Sequence, residues 1–226
     1  AGSANDLVRG GTGSDHILGG SGDDVIFALL NEAGGEFVVT HLIDGGSGED
    51  LIYGDWGVDT IFGSADNDRI FGRLGNDLIS GGSGDDAIYG DQGDDDIAGG
   101  SHDDIIVGGA GNDTLSGEQG NDTLHGGAGT DSLSAGQGDD LLTAGLRDAL
   151  ADAGSGDDHL IFRVDEFAHS GTLTNFSYDE AGQAAINYLN AESLEVQLGT
   201  GGGASFQTTN NYVLNISGPT LPLTQV

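Results

Sequence analysis

The chain has 226 residues, 44 of them glycine, and 38 acidic residues against five basic ones give it a formal net charge of −33. This charge excludes nucleic acids and acidic membrane surfaces as direct partners, because like charges repel. The absence of cysteine excludes a disulfide scaffold, and no apolar run approaches the ~20 residues that membrane insertion needs.

A nine-residue repeat fills residues 1–161. The first three blocks, written from Ala1, are AGSANDLVR, GGTGSDHIL and GGSGDDVIF; after an interruption at 28–44, thirteen more run from Gly45 to Ile161. The sixth position is Asp in fifteen of these sixteen blocks, and the eighth is Val, Ile or Leu in fifteen. This regularity predicts a repeat architecture and not a disordered acidic chain.

Each block combines a turn with a short strand. In the block 81–89, GGSGDD predicts a glycine-rich turn and AIY a minimal strand that points Ile88 inward. Two blocks make one coil of 18 residues, and coils stacked about 4.8 Å apart form two parallel sheets face to face. The sequence therefore predicts an all-β parallel solenoid with a thin aliphatic core.

The coils stack the sixth-position aspartates in two columns, one along each edge of the solenoid. Neighbouring carboxylates in a column repel by about 1 kcal/mol or more per pair, so a cation is expected in the turns. Carboxylate and carbonyl oxygens without paired His or Cys favour a hard ion, and flexible turns favour Ca²⁺ over Mg²⁺.

The pattern G-G-x-G-x-D-x-(aliphatic)-x, seen in GGSGDDAIY (81–89) and GGAGNDTLS (108–116), resembles the RTX, or haemolysin-type, calcium-binding nonapeptide repeat. The resemblance implies a right-handed parallel β-roll that holds each Ca²⁺ between turns of consecutive coils, through backbone carbonyls and the sixth-position aspartate. It also implies type I secretion from a bacterium and folding outside the cell, where calcium is abundant.

The predicted calcium ligands are sixth-position aspartates, and they correspond to on the order of ten ions. These residues are Asp15, Asp24, Asp50, Asp59, Asp68, Asp77, Asp86, Asp95, Asp104, Asp113, Asp122, Asp131, Asp140 and Asp158. Block 144–152 has Ala149 in place of the aspartate, so it is expected to bind no ion, and Asp148→Ala is expected to be close to silent. Fifth-position acids such as Asp85 are expected to be solvated.

Residues 28–44 interrupt the repeat. Val25–Leu30 and Phe37–Ile43 predict two strands of a β-hairpin inserted between coils, joined by Asn31–Glu36. The competing interpretation is a single widened coil without its ion. Local packing is favoured over ligand binding as the role of this insertion.

Tyr53, Phe71 and Tyr89 take the ninth position of blocks two apart, so they share one outer face of a sheet. They are expected either to pack beneath the hairpin or to form an interface with another molecule.

Residues 162–226 carry few glycines and few charges, and alternating stretches such as Ser193–Leu198 predict longer strands. They are interpreted as a β-rich C-terminal cap, since the end of a solenoid otherwise exposes its core and its sheet edges. The predicted domains are therefore a β-roll over 1–161, with the hairpin insertion at 28–44, and a cap over 162–226.

No H-E-x-x-H or G-x-S-x-G motif and no cysteine nucleophile occurs, and the six histidines fall at scattered repeat positions. The chain is therefore expected to be a non-catalytic, extracellular, calcium-loaded segment of a bacterial surface, adhesin or matrix protein. Its expected partners are calcium ions and either neighbouring domains of a longer chain or a second copy in end-to-end contact. The alternatives are a C-terminal export and folding module of a secreted hydrolase, and a carbohydrate-binding accessory module, as resemblance to the repeat modules of alginate epimerases suggests.

Overall fold

A computed structural model describes most of the repeat region and several strands beyond it. The described residues are 2–28, 40–145, 148 and 150–164, followed by the strand segments 172–174, 177–179, 187–189, 193–198, 205–207 and 213–217. No helix that could cross a membrane is found among them.

Successive strands of the repeat region alternate between two sheets. The first sheet has the order β1 (Leu7–Arg9), β3 (Val25–Phe27), β5 (Leu51–Tyr53), β7 (Arg69–Leu74), β9 (Ala87–Gln92), β11 (Ile105–Ala110), β13 (Thr123–Ala128), β15 (Leu141–Gly145), β17 (His159–Val164), β21 (Ser193–Leu198) and β23 (Val213–Ser217). The second has the order β2 (His16–Ser21), β4 (Leu42–Ser47), β6 (Thr60–Ala65), β8 (Leu78–Ser83), β10 (Asp96–Ser101), β12 (Thr114–Gln119), β14 (Ser132–Gln137), β16 (Leu150–Ser155) and β20 (Asn187–Leu189).

Neighbouring strands in both sheets are parallel, and in the repeat region each pair joins equivalent positions of two consecutive coils. Ile88 of β9, for example, lies beside Ile106 of β11, 18 residues later. The predicted all-β parallel solenoid with two blocks per coil is therefore confirmed.

The core is a ladder of eighth-position side chains between the two sheets. Ile52, Ile70, Ile88 and Ile106 are fully buried in the first sheet, and the second sheet contributes an equivalent row. Each such residue contributes about 1.5–3 kcal/mol by leaving water, so the core is continuous but only one side chain deep per strand.

Most strands are longer than the three residues predicted. β9 runs from the seventh position of one block through Gln92, the third position of the next, and buries Gly90 as well as Ile88. The first position therefore also faces inward, and Ala135, Ala144 and Ala153 are buried there. Positive φ angles follow in the turn, at Gly84 (133°) and also at Asp66 and His102, the two residue types expected to tolerate that geometry.

The described ends of the two predicted hairpin strands lie in the two sheets of the roll and do not pair with each other. Val25–Phe27 lies in the first sheet, whereas Leu42 and Ile43 begin β4 in the second, parallel to both β2 and β6. Ile43 is fully buried in the core ladder, and this burial fixes residues 42 and 43 in the roll and not in a hairpin. The partners of β3 and β5 are 26 residues apart, eight more than in an ordinary coil. Residues 29–39 lie outside the described part, so the hairpin and the widened coil both stay predictions.

Beyond Ile161 the two sheets continue. β20 pairs with β16, and β21 and β23 extend the first sheet, all in parallel. β18 (Thr172–Thr174), β19 (Ser177–Asp179) and β22 (Ser205–Gln207) form a separate small sheet in which β18 and β19 are antiparallel. This region is β-rich, as expected; the domain boundary at 161 stays a prediction.

Candidate metal centres

The sixth-position side chains form two columns along the edges of the solenoid. The first column contains Asp6, Asp24, Asp50, Asp68, Asp86, Asp104, Asp122, Asp140 and Asp158, and the second contains Asp15, His41, Asp59, Asp77, Asp95, Asp113, Asp131 and Asp148. All except Asp6 and Asp15 are almost completely buried. Every predicted ligand residue lies in one of these columns, whereas His41 and Asp148 were not predicted there; calcium binding by these residues stays a prediction.

One oxygen of each carboxylate holds the preceding coil. Oδ1 of Asp104 accepts the backbone N–H of Asp86 at 2.8 Å, and Oδ1 of Asp86 accepts that of Asp68 at 2.7 Å. The same bond recurs along both columns, so every sixth-position aspartate after Asp6 and Asp15, with which the columns begin, ties its own turn to the turn one coil before it. A neutral side chain without an acceptor would leave a buried N–H unpaired, at a cost of about 1–3 kcal/mol.

The other oxygen of most of these carboxylates is buried without a hydrogen-bond partner. This holds for Oδ2 of Asp15, Asp24, Asp50, Asp68, Asp77, Asp86, Asp95, Asp104, Asp113, Asp122, Asp131 and Asp140. Asp59 differs, because its Oδ2 accepts the backbone N–H of Asp55 at 2.9 Å. Buried anionic oxygens without a partner are costly unless a cation neutralises them.

The glycine at the first position leaves space beside this oxygen. A Cβ placed on Gly81 would lie 2.3 Å from Oδ2 of Asp86 and 2.7 Å from the carbonyl oxygen of Gly99 in the next coil. Gly90 shows the same arrangement with Asp95 and the Gly108 carbonyl. The unpartnered carboxylate oxygen and a carbonyl oxygen of the next coil therefore both border the place that a side chain would fill, and such an all-oxygen donor set suits a hard cation such as Ca²⁺.

Burial raises the pKa of these carboxyl groups. The pKa of Asp68, Asp77 and Asp104 rises to about 8, because burial removes the carboxylate from water and the acidic neighbours above and below add repulsion. The pKa of Asp86 and Asp95 rises to about 6 for the same main reason, against the lowering effect of the backbone N–H that each accepts. Protons and metal ions would compete for these oxygens.

The fifth-position side chains form a separate ladder on the solvent side. Oδ1 of Asp85 accepts the backbone N–H of Asp103 at 3.1 Å, and Oδ1 of Asp103 accepts that of Asn121 at 2.8 Å. These bonds point to the following coil, opposite to those of the sixth position. The side chains are exposed, as expected; the ladder itself was not predicted. Asn serves as well as Asp at these positions, so this ladder depends on the acceptor oxygen and not on charge.

The degenerate block keeps a carboxylate in the column, contrary to the expectation that Asp148 would be dispensable. Asp148 is buried, its Oδ1 accepts the Asp131 N–H at 3.2 Å, and its Oδ2 accepts the N–H of Gly145. A side chain one residue early in the sequence therefore reaches the place that Ala149 cannot fill. Both oxygens are engaged by the protein, which agrees with a turn that binds no ion.

Aromatic side chains form a stack on the outer face of the first sheet. The ring centroids of Phe27, Tyr53, Phe71 and Tyr89 are 4.9–5.0 Å apart, with interplanar angles of 4–9°. The Arg73 guanidinium carbon lies 4.9 Å from the Tyr53 centroid. The predicted series is confirmed and extended to Phe27; the rings cover one another's faces, which leaves mainly their edges for any other contact.

The parallel solenoid with its buried carboxylate columns is a parallel β-roll with a row of all-oxygen candidate metal centres along each edge. Among protein-family models, that of the RTX calcium-binding nonapeptide repeat (4 copies) matches residues 1–30, 42–70, 62–97, 98–133 and 116–148. The chain belongs to this family and contains a calcium-binding structural module. A search of curated proteins finds no match.

Proposed function

We propose that the chain is a calcium-gated structural segment of a secreted or cell-surface bacterial protein, and that it folds when calcium binds. The observation that carries this proposal is the pair of columns in which buried carboxylate oxygens recur without a partner. Membership of the RTX family supports it, because proteins with these repeats are typically secreted.

The proposed calcium ligands are the predicted sixth-position aspartates with an unpaired oxygen. Each would bind through Oδ2 while Oδ1 keeps its hydrogen bond to the preceding coil. The binding of one ion would therefore be coupled to the stacking of two coils. The first-position carbonyls would supply further oxygen ligands; the closeness of the Gly99 carbonyl oxygen and Oδ2 of Asp86 to the same point beside Gly81 supports this.

The formal charge of −33 supports coupling between binding and folding. Without cations, closing the coils brings like charges together and buries them, whereas the one-residue-deep core supplies little to offset that cost. With calcium bound, repulsion becomes attraction across each turn. A secreted chain would therefore remain unfolded in the cytoplasm and fold in extracellular calcium.

The role proposed is mechanical and not catalytic. The regular coils give a stiff rod, and the described part shows the same carboxylate arrangement in coil after coil, whereas an active site is a single constellation.

A calcium titration followed by circular dichroism tests this function. We expect a cooperative gain of β-sheet signal with a midpoint between about 10⁻⁴ and 10⁻³ M, the range of extracellular calcium modules. Magnesium at the same concentrations is the control and should produce little change. Saturation far below 10⁻⁶ M would contradict gating by extracellular calcium, because cytoplasmic calcium would then suffice.

A further inference from the structure

His41 takes a sixth-position place in the second column, between Asp15 and Asp59. Its side chain is completely buried, and its backbone N–H donates to Oδ1 of Asp59 at 2.9 Å in the way that the aspartates of the column do. His41 therefore takes the place of a sixth-position aspartate, two residues before the buried Ile43, which takes the place of an eighth-position residue. A ring nitrogen that can bind a metal ion thus lies in a row of carboxylate oxygens.

A second change lies opposite this histidine. Asp55 occupies the second position of its block, and its Oδ2 is 3.3 Å from Nε2 of His41. Asp91 and Glu118 occupy the same position in later blocks, but they are exposed and have positive φ angles. Asp55 is buried and has no positive φ angle. Strand β5 ends at Tyr53, and the turn that follows directs the Asp55 carboxylate inward.

The three side chains converge on one buried point. The ligand atoms of His41, Asp55 and Asp59 all lie within 4.8 Å of one another, and each residue is buried. Oδ1 of Asp55 accepts the N–H of Gly57 at 2.8 Å, which holds this carboxylate with Oδ2 toward the imidazole. Asp59 is anchored by the backbone N–H groups of His41 and Asp55 and retains lone pairs on both oxygens.

We propose that His41, Asp55 and Asp59 form a site for one first-row transition-metal ion of the zinc class, set among the calcium turns. An imidazole nitrogen with two carboxylates suits Zn²⁺ or Co²⁺, whereas Ca²⁺ takes only oxygen ligands. The replacement of Asp by His and the inward turn of Asp55 together convert one all-oxygen turn into a mixed nitrogen and oxygen turn. This proposal does not depend on calcium binding elsewhere in the chain.

Asp15 would position the imidazole. Nδ1 of His41 now accepts the backbone N–H of Asp15 at 3.3 Å, while Nε2 faces Asp55. A metal ion on Nε2 requires the ring proton to move to Nδ1, which lies 3.8 Å from Oδ2 of Asp15. Taking up this proton ends the bond that Nδ1 accepts from the Asp15 N–H, and a small shift of the ring brings Nδ1–H to that buried oxygen, which has no hydrogen-bond partner among the described residues. Oδ2 of Asp15 would then hold the imidazole in the metal-binding tautomer and would not bind calcium.

Cobalt binding to the calcium-saturated chain tests the site. Visible absorption reports Co²⁺ coordination directly, so the chain in millimolar calcium is titrated with Co²⁺ and then competed with Zn²⁺. We expect one Co²⁺ per chain, retained in calcium and displaced by one equivalent of Zn²⁺.

Three variants complete the test. His41→Asp restores the usual repeat residue, so it should fold in calcium and lose the cobalt bands. Asp55→Asn should weaken Co²⁺ binding at least tenfold with an unchanged calcium-dependent fold. His102→Asn, at an exposed histidine of another turn, is the matched control and should behave as the wild type. Absence of a retained Co²⁺ in the wild type, or its persistence in both His41→Asp and Asp55→Asn, would overturn the proposal.

Discussion

The sixth-position columns form an inner ladder and the fifth-position side chains form an outer ladder on the solvent side. The two ladders use neighbouring residues with nearly the same chemistry, but they differ in burial and in the direction of their hydrogen bonds. Asp86 is buried, accepts a backbone N–H from the preceding coil and has a second oxygen without a partner. Asp85, one residue earlier, is exposed and accepts from the following coil. Both residues lie in the turn between β8 and β9, which directs one side chain inward and the other to solvent. Position in the turn therefore decides which acidic residue needs a cation, and charge alone does not.

The largest expected effect is at the middle of the inner ladder. Asp113→Ala removes the acceptor for the Asp95 N–H and a proposed calcium ligand with coils on both sides. We expect the calcium-loaded fold to lose about 1–3 kcal/mol from the unpaired N–H alone, with reduced cooperativity of the calcium transition. Urea unfolding in saturating calcium measures this.

The matched control for that variant is Asn112→Ala on the outer ladder. It removes an exposed acceptor of the Thr130 N–H, which water can replace, so a loss well below that of Asp113→Ala is expected. Equal losses for the two variants would contradict the distinction between the ladders.

The ion-free fold should respond to pH through the inner ladder only. The pKa of Asp68, Asp77 and Asp104 is raised to about 8, above the ordinary value of 3.8, so the folded chain holds protons that the unfolded chain releases. Folded-state stability in chelator is therefore greatest at acidic pH and falls as pH rises from about 4 through 8. Circular dichroism in chelator should show more β structure at pH 5 than at pH 8.

Calcium should reverse this dependence. Protons compete with Ca²⁺ for the same oxygens, so the midpoint of the calcium transition should move to higher calcium as the pH is lowered. A pH-independent midpoint between pH 5 and 8 would contradict the assignment of these carboxylates as ligands.

Asp148→Ala is expected to have an intermediate effect. It removes acceptors for the N–H groups of Asp131 and Gly145, so stability should fall by about 1–3 kcal/mol. The number of bound calcium ions should be unchanged, since both oxygens of Asp148 are already engaged by backbone. Thermal unfolding and a calcium count on the same sample separate the two effects, and a lost ion would show that Asp148 is a ligand.

The smallest effect is expected in the aromatic stack. Phe71→Leu breaks two stacking contacts of 4.9 and 5.0 Å but keeps an apolar side chain on a half-buried surface. We expect a loss of about 0.5–1.5 kcal/mol and no change in calcium binding. Urea unfolding checks the first expectation, and a calcium titration checks the second.

Much of this architecture could be predicted from periodicity. Asp at the sixth position and an aliphatic residue at the eighth specify the two sheets, the core ladder and the columns, because each residue repeats its environment every 18 positions. The nine-residue period is interrupted at residues 28–44, and prediction from the period does not extend to them. Residues 36–44 keep Ile43 at the eighth position but have lost every glycine of the turn, so His41 was not recognised as a column residue.

Other features depend on geometry that spacing does not contain. Asp148 reaches the column from the fifth position of its block, although Leu150 keeps the usual 18-residue register with Ser132. Asp55 faces inward whereas Asp91 at the same position is exposed, and only the backbone conformation distinguishes them. A search for histidine at a sixth position, with the register restarted from Ile43, is the signal that would have found the mixed site.

The central claim is that the buried oxygens of the sixth position, and not acidic charge in general, bind calcium. Asp86→Asn and Asp85→Asn change the net charge equally, keep similar size and lie one residue apart, so isothermal titration with a calcium count compares them directly. Asp86→Asn should bind at least one ion fewer than the wild type, whereas Asp85→Asn should bind the same number, as Asn67 already serves at that position in the preceding coil. Equal ion numbers for the two variants would contradict this account.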